Sequence, residues 1–180
     1  GVVVAGVEYP VDCIVYATGF EVGTGFQRVS GFEIYGRGGL SLSDKWADGI
    51  RTLHGMHIHG FPNCFLMSTI QGGFTVNYPH MLDEVATHVA HIVGHALTIE
   101  KEVVETSAEA EARWVQTILD KGVRGGIIGD ETCTPGYYNN EGKPRAHFEQ
   151  MVSYGDGPIP FFNLLAKWRD TGEFAGLTID

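Results

Sequence analysis

A short apolar segment near the start of the chain constrains its fold more than any other feature. Apolar and aromatic residues dominate the stretch Val11 to Ala17, as in a buried strand, and the chain then turns at Thr18-Gly19. Glycine has no Cβ, so the backbone at this turn can lie close to a neighbouring chain or a ligand. A second strand is predicted over Val2 to Ala5, with a turn around Gly6 to Pro10 between the two strands.

Composition restricts the class of protein. The 180 residues are enough for one domain of ordinary size, and a hydrophobic content of 43% is enough to form a core. The 25 glycines predict many tight turns rather than a helical bundle. The net charge of −10 disfavours nucleic acid and anionic membranes as partners. The three widely spaced cysteines predict a reduced, cytoplasmic location without a disulfide framework.

Three helices are predicted after residue 78, and the third of them is short. Apolar residues recur at steps of three and four over Pro79 to Leu97, and a proline suits the first turn of a helix. Thr106 and Glu109 have the capping-box spacing for a second helix, which would end near Gly122. The other predicted elements are a third helix over about Pro160 to Arg169, a short helix within Leu42 to Leu53, and a buried strand over Cys64 to Thr69.

Two stretches of the sequence resemble a known family. They are DCIVYATGF at residues 12–20 and GFPNCFLMSTIQGGFTVNYPHMLDE at residues 60–84. Both are similar to the C-terminal portion of Baeyer–Villiger-type flavin-dependent monooxygenases, which have two dinucleotide-binding domains. The resemblance implies an incomplete α/β fold with few strands, about three helices and long loops. It assigns residues 1–20 to the end of the NADPH-binding domain, 21–100 to the return segment and the C-terminal part of the FAD-binding domain, and 101–180 to the C-terminal helices and a covering loop.

The resemblance also implies an activity. FAD and NADPH would serve the insertion of one oxygen atom of O2 into a ketone, with the protein positioning and shielding the cofactor. Neither Gly23-x-Gly25 nor Gly36-x-Gly38 continues as the pyrophosphate fingerprint G-x-G-x-x-G. The resemblance places the catalytic residues outside these 180 residues, so we expect the isolated chain to be inactive. A strand pair separated from its parent sheet exposes edges and apolar surface, so we also expect this chain to self-associate. A heteroatom (N or S) flavin monooxygenase and a non-catalytic binding or assembly module remain alternatives.

The loop that leads into the first long helix is the main candidate site. It is rich in glycine, and the free N–H groups and macrodipole of a helix N-terminus favour an electron-rich ligand. Taken alone, the pattern also fits an ordinary loop. The resemblance places this loop against the flavin ring, although many members carry Gly-Pro where this chain has Gln71-Gly72. The residues implied are Thr18, Gly19, Gln71, Gly72, Gly73 and Asn77 for cofactor binding, and Phe74, Thr75, Val76 and Tyr78 for the substrate pocket.

A second candidate lies in the long loop between the second and third helices, CTPGYYNNEGK at residues 133–143. It resembles a mobile loop that folds over NADP in related enzymes and shapes the pocket. Tyr137 is then assigned to the substrate pocket and Lys143 to the cofactor phosphate. The better-known members carry a Trp here, which this chain lacks. A surface loop packed by its own aromatic side chains explains the same residues equally well.

The histidines do not require a metal. His91 and His95 have the i, i+4 spacing of a metal-binding pair, and His88 falls on the same helical face. Because this face is opposite the predicted apolar stripe, we expect a solvated surface and no metal site. His57 and His59 are predicted to share one face of a strand.

Overall fold

A computed structural model describes residues 1–17, 19, 26–121, 134–136, 142 and 147–180. Within these ranges no helix is both long and apolar enough to cross a bilayer. Short 3-10 turns at Arg37–Gly39 and Phe148–Gln150 accompany the regular elements. These elements are β1 (Val2–Val4), β2 (Val7–Tyr9), α1 (Phe26–Ser30), α2 (Leu42–Lys45), α3 (Tyr78–Thr98), β3 (Val104–Thr106), α4 (Ala108–Lys121), α5 (Pro158–Thr171) and β4 (Leu177–Ile179).

Helix α3 confirms the strongest helix prediction. Asn77 caps it, because its side-chain oxygen accepts a hydrogen bond from the backbone N–H of His80 at 3.3 Å. The buried face is rotated from the predicted stripe, and Leu97, predicted inside, is 71% exposed. Packing against α5 selects a different face from the one that hydrophobicity alone favours. The buried residues of α3 are Met81, Val85, His88, Ile92 and Ala96.

Helix α4 begins slightly later than predicted. Thr106 is not its cap but the last residue of β3, where it lies opposite Leu177 of the antiparallel strand β4. Its hydroxyl donates to the carbonyl oxygen of Gly176 at 3.0 Å. Ser107 takes over the capping role, since its hydroxyl accepts from the backbone N–H of Ala110 at 3.1 Å. Strand pairing therefore moved the cap by one residue, and Gly122 lies outside the described residues.

Helix α5 completes the core and confirms the third predicted helix. It ends at Gly172, whose φ of 65° is the left-handed conformation that glycine adopts without strain. Phe161 and Leu165 project from α5 and are 0% exposed. The largest core cluster joins α3, α4, α5 and the loop before α3: Leu53, Met56, Met81, Val85, Ala110, Trp114, Ile118, Tyr154, Phe161, Phe162 and Leu165.

The first seventeen residues form an exposed hairpin and tail. Strands β1 and β2 pair antiparallel through a two-residue turn, Ala5-Gly6, in which both residues have positive φ (50° and 81°). The turn therefore comes earlier than predicted, and the predicted strand over Val11 to Ala17 is wrong: this stretch is exposed and unpaired, with Tyr16 84% exposed. A strand needs a partner, and the described residues offer this segment none.

The segment 64–69 is likewise not the buried strand that was predicted. It is a mostly half-buried loop with Met67 48% exposed, and its ladder contact is one isolated bridge between Phe65 and His57. The short helix predicted within residues 42–53 is confirmed as α2. Ser41 caps it by accepting from the N–H of Asp44 at 3.0 Å.

Two acidic side chains fasten the segment 37–60 to β3 and α4. Glu111 is 4% exposed; it pairs with Lys45 at 2.8 Å and accepts from the backbone N–H of His59 at 2.9 Å. Glu105 pairs with Arg37 at 2.7 Å and accepts from the backbone N–H of Gly60 at 3.0 Å. These contacts hold the segment 37–60 against β3 and α4.

Candidate functional site

The turn at Gln71 is held by a fully buried side chain. Gln71 is 0% exposed and has a φ of 57°, the left-handed region that non-glycine residues seldom occupy. Its side-chain oxygen accepts from the backbone N–H and the hydroxyl of Thr52 at 3.1 and 2.6 Å. Its side-chain nitrogen donates to the carbonyl oxygens of Ile50 and Gln150 at 2.7 and 2.9 Å. The side chain of Gln71 is therefore committed to protein contacts rather than free for a ligand.

Gly72 and Gly73 follow in a tightly packed backbone. The carbonyl oxygen of Gly72 accepts from the N–H of Tyr154 at 2.9 Å. A Cβ on Gly73 would lie 2.7 Å from the ring of Phe161 and 3.0 Å from that of Phe162, so α5 closes one side of the turn. Both glycines are buried, yet neither donates its N–H to another residue that the structure describes. A buried N–H requires an acceptor, so these two groups are candidates for a ligand or for water.

The residues after the glycines open to the surface. Phe74 is 49% exposed, Val76 99% and Tyr78 45%, while Thr75 is half-buried. Asn77 lies at the N-terminus of α3 with its side chain used as the helix cap. The structure thus brings the predicted residues 71–78 together as one turn. Residues 71–73 are buried against the protein, and residues 74–78 form its solvent-facing side, called here the open front of the turn.

The other predicted site residues are not joined to this turn. Gly19 is exposed with a φ of 76°, and no hydrogen bond among the described residues links it to the turn. Thr18, Tyr137 and Lys143 lie outside the described residues. A surface cavity of about 300 Å³ occurs elsewhere, against the segment 34–37 and Phe61, and it includes no residue of the turn.

His54, His57 and His88 form a buried cluster behind the turn. The sequence pattern did not predict this cluster. His88 was predicted on a solvated face but is 0% exposed, and His57 is 3% exposed in a loop rather than on a strand face shared with His59. The ring of His88 lies 5.9 Å from that of His54 and 6.3 Å from that of His57. Tertiary packing places these rings between α3, α4 and α5, which the helical periodicity of α3 alone does not reveal.

Burial keeps the three histidines neutral. Desolvation lowers the pKa of His54 to about 3 and that of His57 to about 4. Desolvation, followed by the nearby His54, His57, Arg169 and His91, lowers the pKa of His88 to about 2. Four ring nitrogens of the cluster lack a hydrogen-bond partner among the described residues: His54 Nδ1, His57 Nε2, and both nitrogens of His88.

The pair His91 and His95 packs against an aromatic ring. Both imidazoles stack on Phe174, with ring centroids 5.5 and 4.1 Å away. No group of three or more His, Cys, Asp or Glu side chains within the described part of the chain has the geometry of a metal site. The i, i+4 spacing therefore serves packing on the β4 side of α3.

Comparison with known proteins relates this arrangement to flavoenzymes. No family model matches the chain. Neopentalenolactone D synthase of Streptomyces avermitilis is 46% identical over 180 residues, covering 99% of this chain and 30% of that protein. Baeyer–Villiger monooxygenase 4 of a Dietzia species is 40% identical over 182 residues, covering 100% and 29%. The structure of the polycyclic ketone monooxygenase from Thermothelomyces thermophila matches 99% of the chain and 29% of its own length, at 33% identity and a TM-score of 0.86.

The chain belongs to the Baeyer–Villiger monooxygenase family. It corresponds to a C-terminal portion of such an enzyme and spans about 30% of the length of these relatives. Cyclohexanone monooxygenase from Rhodococcus sp. Phi1, solved with NADP+, matches 97% of the chain and 31% of its own length, at 28% identity and a TM-score of 0.72. A relative from Hypomyces subiculosus, 38% identical over 98% of the chain and 29% of its own length, is named an FAD-binding monooxygenase. FAD and NADPH are the cofactors of this Baeyer–Villiger family.

The turn has one property that fits a flavin and one that limits how it could fit. The N–H groups of Gly72 and Gly73 have no acceptor in the part of the chain that the structure describes, and they match the electron-rich edge of a flavin ring, which accepts hydrogen bonds. The rings of Phe161 and Phe162 close the turn at Gly73. In a Baeyer–Villiger enzyme the ligand would therefore approach from the side of the exposed residues Phe74 and Val76.

Proposed function

We propose that this chain forms one wall of the flavin site in an FAD- and NADPH-dependent Baeyer–Villiger monooxygenase. The enzyme would insert one oxygen atom of O2 into a ketone or a related small organic substrate. The single observation that carries the proposal is a pair of buried glycines, Gly72 and Gly73, whose N–H groups have no acceptor among the described residues, in a chain of this family. NADPH and FAD, when bound, supply the electrons and the activation of O2, and the protein binds, orients and shields them.

The residues of the turn divide between two roles. Gly72 and Gly73 would donate their backbone N–H groups to the flavin, and the N-terminus of α3, capped by Asn77, would add its dipole. Phe74, Thr75, Val76 and Tyr78 would face the substrate, where exposed apolar side chains exclude water from the ketone. Gln71 would act from behind the turn, since its side chain is buried and paired.

The remaining assignments rest on the resemblance alone. Thr18, Gly19 and Lys143 would contact the dinucleotides, and Tyr137 would border the substrate pocket. Residues 1–20 would end an NADPH-binding domain, 21–100 would return to the FAD-binding domain, and 101–180 would cover the cofactor. The widely spaced cysteines support a cytoplasmic location for such an enzyme.

The test of this proposal uses a protein of the relatives' length that contains this chain. Purified protein should carry FAD and consume NADPH in the presence of cyclohexanone, and 18O2 should label the ring oxygen of a lactone detected by mass spectrometry. Oxidation of a thioether without any lactone would contradict the ketone assignment and favour a heteroatom oxygenase. Absence of both flavin and NADPH consumption would favour a binding module. The isolated 180 residues should neither retain FAD nor turn over.

We also propose that the isolated chain associates with itself through β1 and β2. The hairpin exposes a row of valines, with Val3 69% and Val4 60% exposed, and it leaves two strand edges unpaired among the described residues. Sedimentation should show dimers or larger species at micromolar concentration. Val4→Lys should shift them to monomer, while Leu97→Lys on the exposed face of α3 should not. A wild-type monomer at every concentration would contradict this proposal.

A further inference from the structure

Gln71 occupies a backbone conformation that its residue type disfavours. Its φ of 57° would suit glycine, yet here a long side chain is accommodated and fully buried. A strained residue persists when its surroundings over-determine it. The contacts of Gln71 show which groups do so.

The side-chain amide of Gln71 makes all four hydrogen bonds that an amide can make. Two join it to Thr52 and two to the carbonyl oxygens of Ile50 and Gln150. The hydroxyl of Thr52 also accepts from the N–H of Gly55 at 3.1 Å, and Gly55 lies directly against the turn. A Cβ on Gly55 would meet Ile70 O at 2.8 Å and Gly72 N at 3.0 Å.

The backbone of Gln71 is fastened at both ends of the residue. Its N–H donates to Val152 O at 2.8 Å, and its carbonyl oxygen accepts from the indole N–H of Trp114 at 2.9 Å. The next carbonyl, that of Gly72, accepts from Tyr154. Three separate stretches, 50–52, α4 and 150–154, thus hold residues 71–72 from behind and leave the N–H groups of Gly72 and Gly73 unpaired among the described residues.

We propose that Gln71 is a positioning residue: its buried amide holds the backbone of Gly72 and Gly73 in the shape that presents their N–H groups to the flavin. This inference rests on the proposed function for the identity of the ligand. The shape of the turn itself depends on the contacts above. Gln71 acts through the backbone that follows it and does not touch the ligand.

The first test measures amide hydrogen exchange in the 180-residue chain by NMR. Gln71→Gly removes the strained side chain together with its four hydrogen bonds. Protection of the Tyr154 N–H, which donates to Gly72 O, should fall at least tenfold while that of α4 stays within twofold. Ser153→Ala is the matched control, because it removes one hydrogen bond to the neighbouring Thr69 O at 2.9 Å without touching Gln71. It should leave the protection factor of the Tyr154 N–H within twofold of wild type.

A milder variant covers the case in which Gln71→Gly does not fold. Thr52→Val keeps the shape of Thr52 and removes the hydroxyl that bonds both Gln71 and Gly55. It should lower the protection of the Tyr154 N–H selectively, by about threefold or more. Unchanged protection of Tyr154 in either folded variant overturns the inference, as does an equal loss of protection throughout α4.

The second test measures FAD affinity in a protein of the relatives' length that contains this chain. If wild type binds FAD, Gln71→Gly should weaken binding at least tenfold and shift the flavin absorbance spectrum, and Ser153→Ala should do neither. Unchanged affinity and spectrum in Gln71→Gly overturn the positioning role. If wild type binds no flavin, the proposed function fails, and the exchange experiment still decides whether Gln71 shapes the turn.

Discussion

The indole N–H of Trp114 donates to the backbone carbonyl oxygen of Gln71 across 2.9 Å, which ties helix α4 to the candidate site. Trp114 also stacks on Tyr154, with ring centroids 5.6 Å apart and nearly parallel planes, and Tyr154 in turn donates its N–H to Gly72. One aromatic pair therefore supports two consecutive carbonyls of the turn. The shape of the turn depends on residues that lie more than forty positions later in the chain.

Trp114→Phe should destabilise the protein by about 1–3 kcal/mol. Phenylalanine keeps much of the aromatic packing but leaves the buried carbonyl oxygen of Gln71 without its donor. Urea unfolding followed by circular dichroism measures the change. Trp46→Phe is the control, because its indole donates to Arg51 O at 3.2 Å in an exposed position. An equal loss in both variants would show that the bond to Gln71 has no special role.

Acid should destabilise the fold through His54, His57 and His88. Their folded-state pKa values are lowered to about 3, 4 and 2, below the ordinary value of 6.5, so the unfolded chain binds protons first. Their contribution to stability is complete above pH 6.5 and is lost as pH falls from there towards pH 4 and below. Each histidine can contribute up to about 1.4 kcal/mol per pH unit in this window.

Urea midpoints between pH 8 and pH 4.5 test this prediction. His88→Leu should reduce the slope of stability against pH, because one buried site no longer gains a proton on unfolding. Met81→Leu, a buried change on the same helix that removes no titratable group, should leave the slope unchanged. The charged and titratable neighbours named for His88, Arg169 and His91, stay in place in both variants. A flat profile in wild type down to pH 5 would refute the buried cluster.

Glu111→Ala should be among the most destabilising single changes, at roughly 3 kcal/mol or more. It leaves Lys45, whose side chain is 14% exposed, and the backbone N–H of His59 without their acceptor. Thermal unfolding measures the loss. The comparison is Asp156→Asn, since Lys121 and Asp156 pair at the surface with side chains 41% and 45% exposed, and it should scarcely move the midpoint. Equal shifts would mean that burial of the Glu111 pair does not matter.

Phe161→Ala should cost about 3–5 kcal/mol, because the ring is 0% exposed and fills the core beside Gly73. Phe74→Ala, at a position 49% exposed, should change stability little. In a protein of the relatives' length, Phe74→Ala should instead raise KM for the ketone. A loss of stability for Phe74→Ala as large as that for Phe161→Ala would contradict the exposed position of Phe74.

Local patterns predicted the long helices correctly. Helices α3 and α5 begin beside prolines, and α5 ends at a glycine, so their limits are encoded within a few residues. The capping residue of α4 was missed because β3 claims Thr106 through pairing with β4. The strand predicted over Val11 to Ala17 was wrong because strands also depend on pairing. Its apolar sequence suits a strand, but no described segment pairs with it.

The candidate turn could be located from sequence, but its construction could not. The string QGGFTVNYP identifies residues 71–79 through glycine content and family resemblance. Nothing in the string indicates that Gln71 adopts a positive φ or bonds Thr52 and Gln150. Those partners lie 19 and 79 positions away. His88 shows the same limit, since its burial depends on loops and helices that periodicity within α3 does not describe.

The amino-acid sequence by itself determined the family, the presence of helices α3, α4 and α5, and the position of the glycine turn, because each depends on neighbouring residues or on a contiguous string. Only the tertiary structure decided that Gln71 supports the turn, that His54, His57 and His88 are buried together, and that the first strands stand exposed. Burial and hydrogen-bond satisfaction are properties of distant segments brought into contact, and no local pattern contains them.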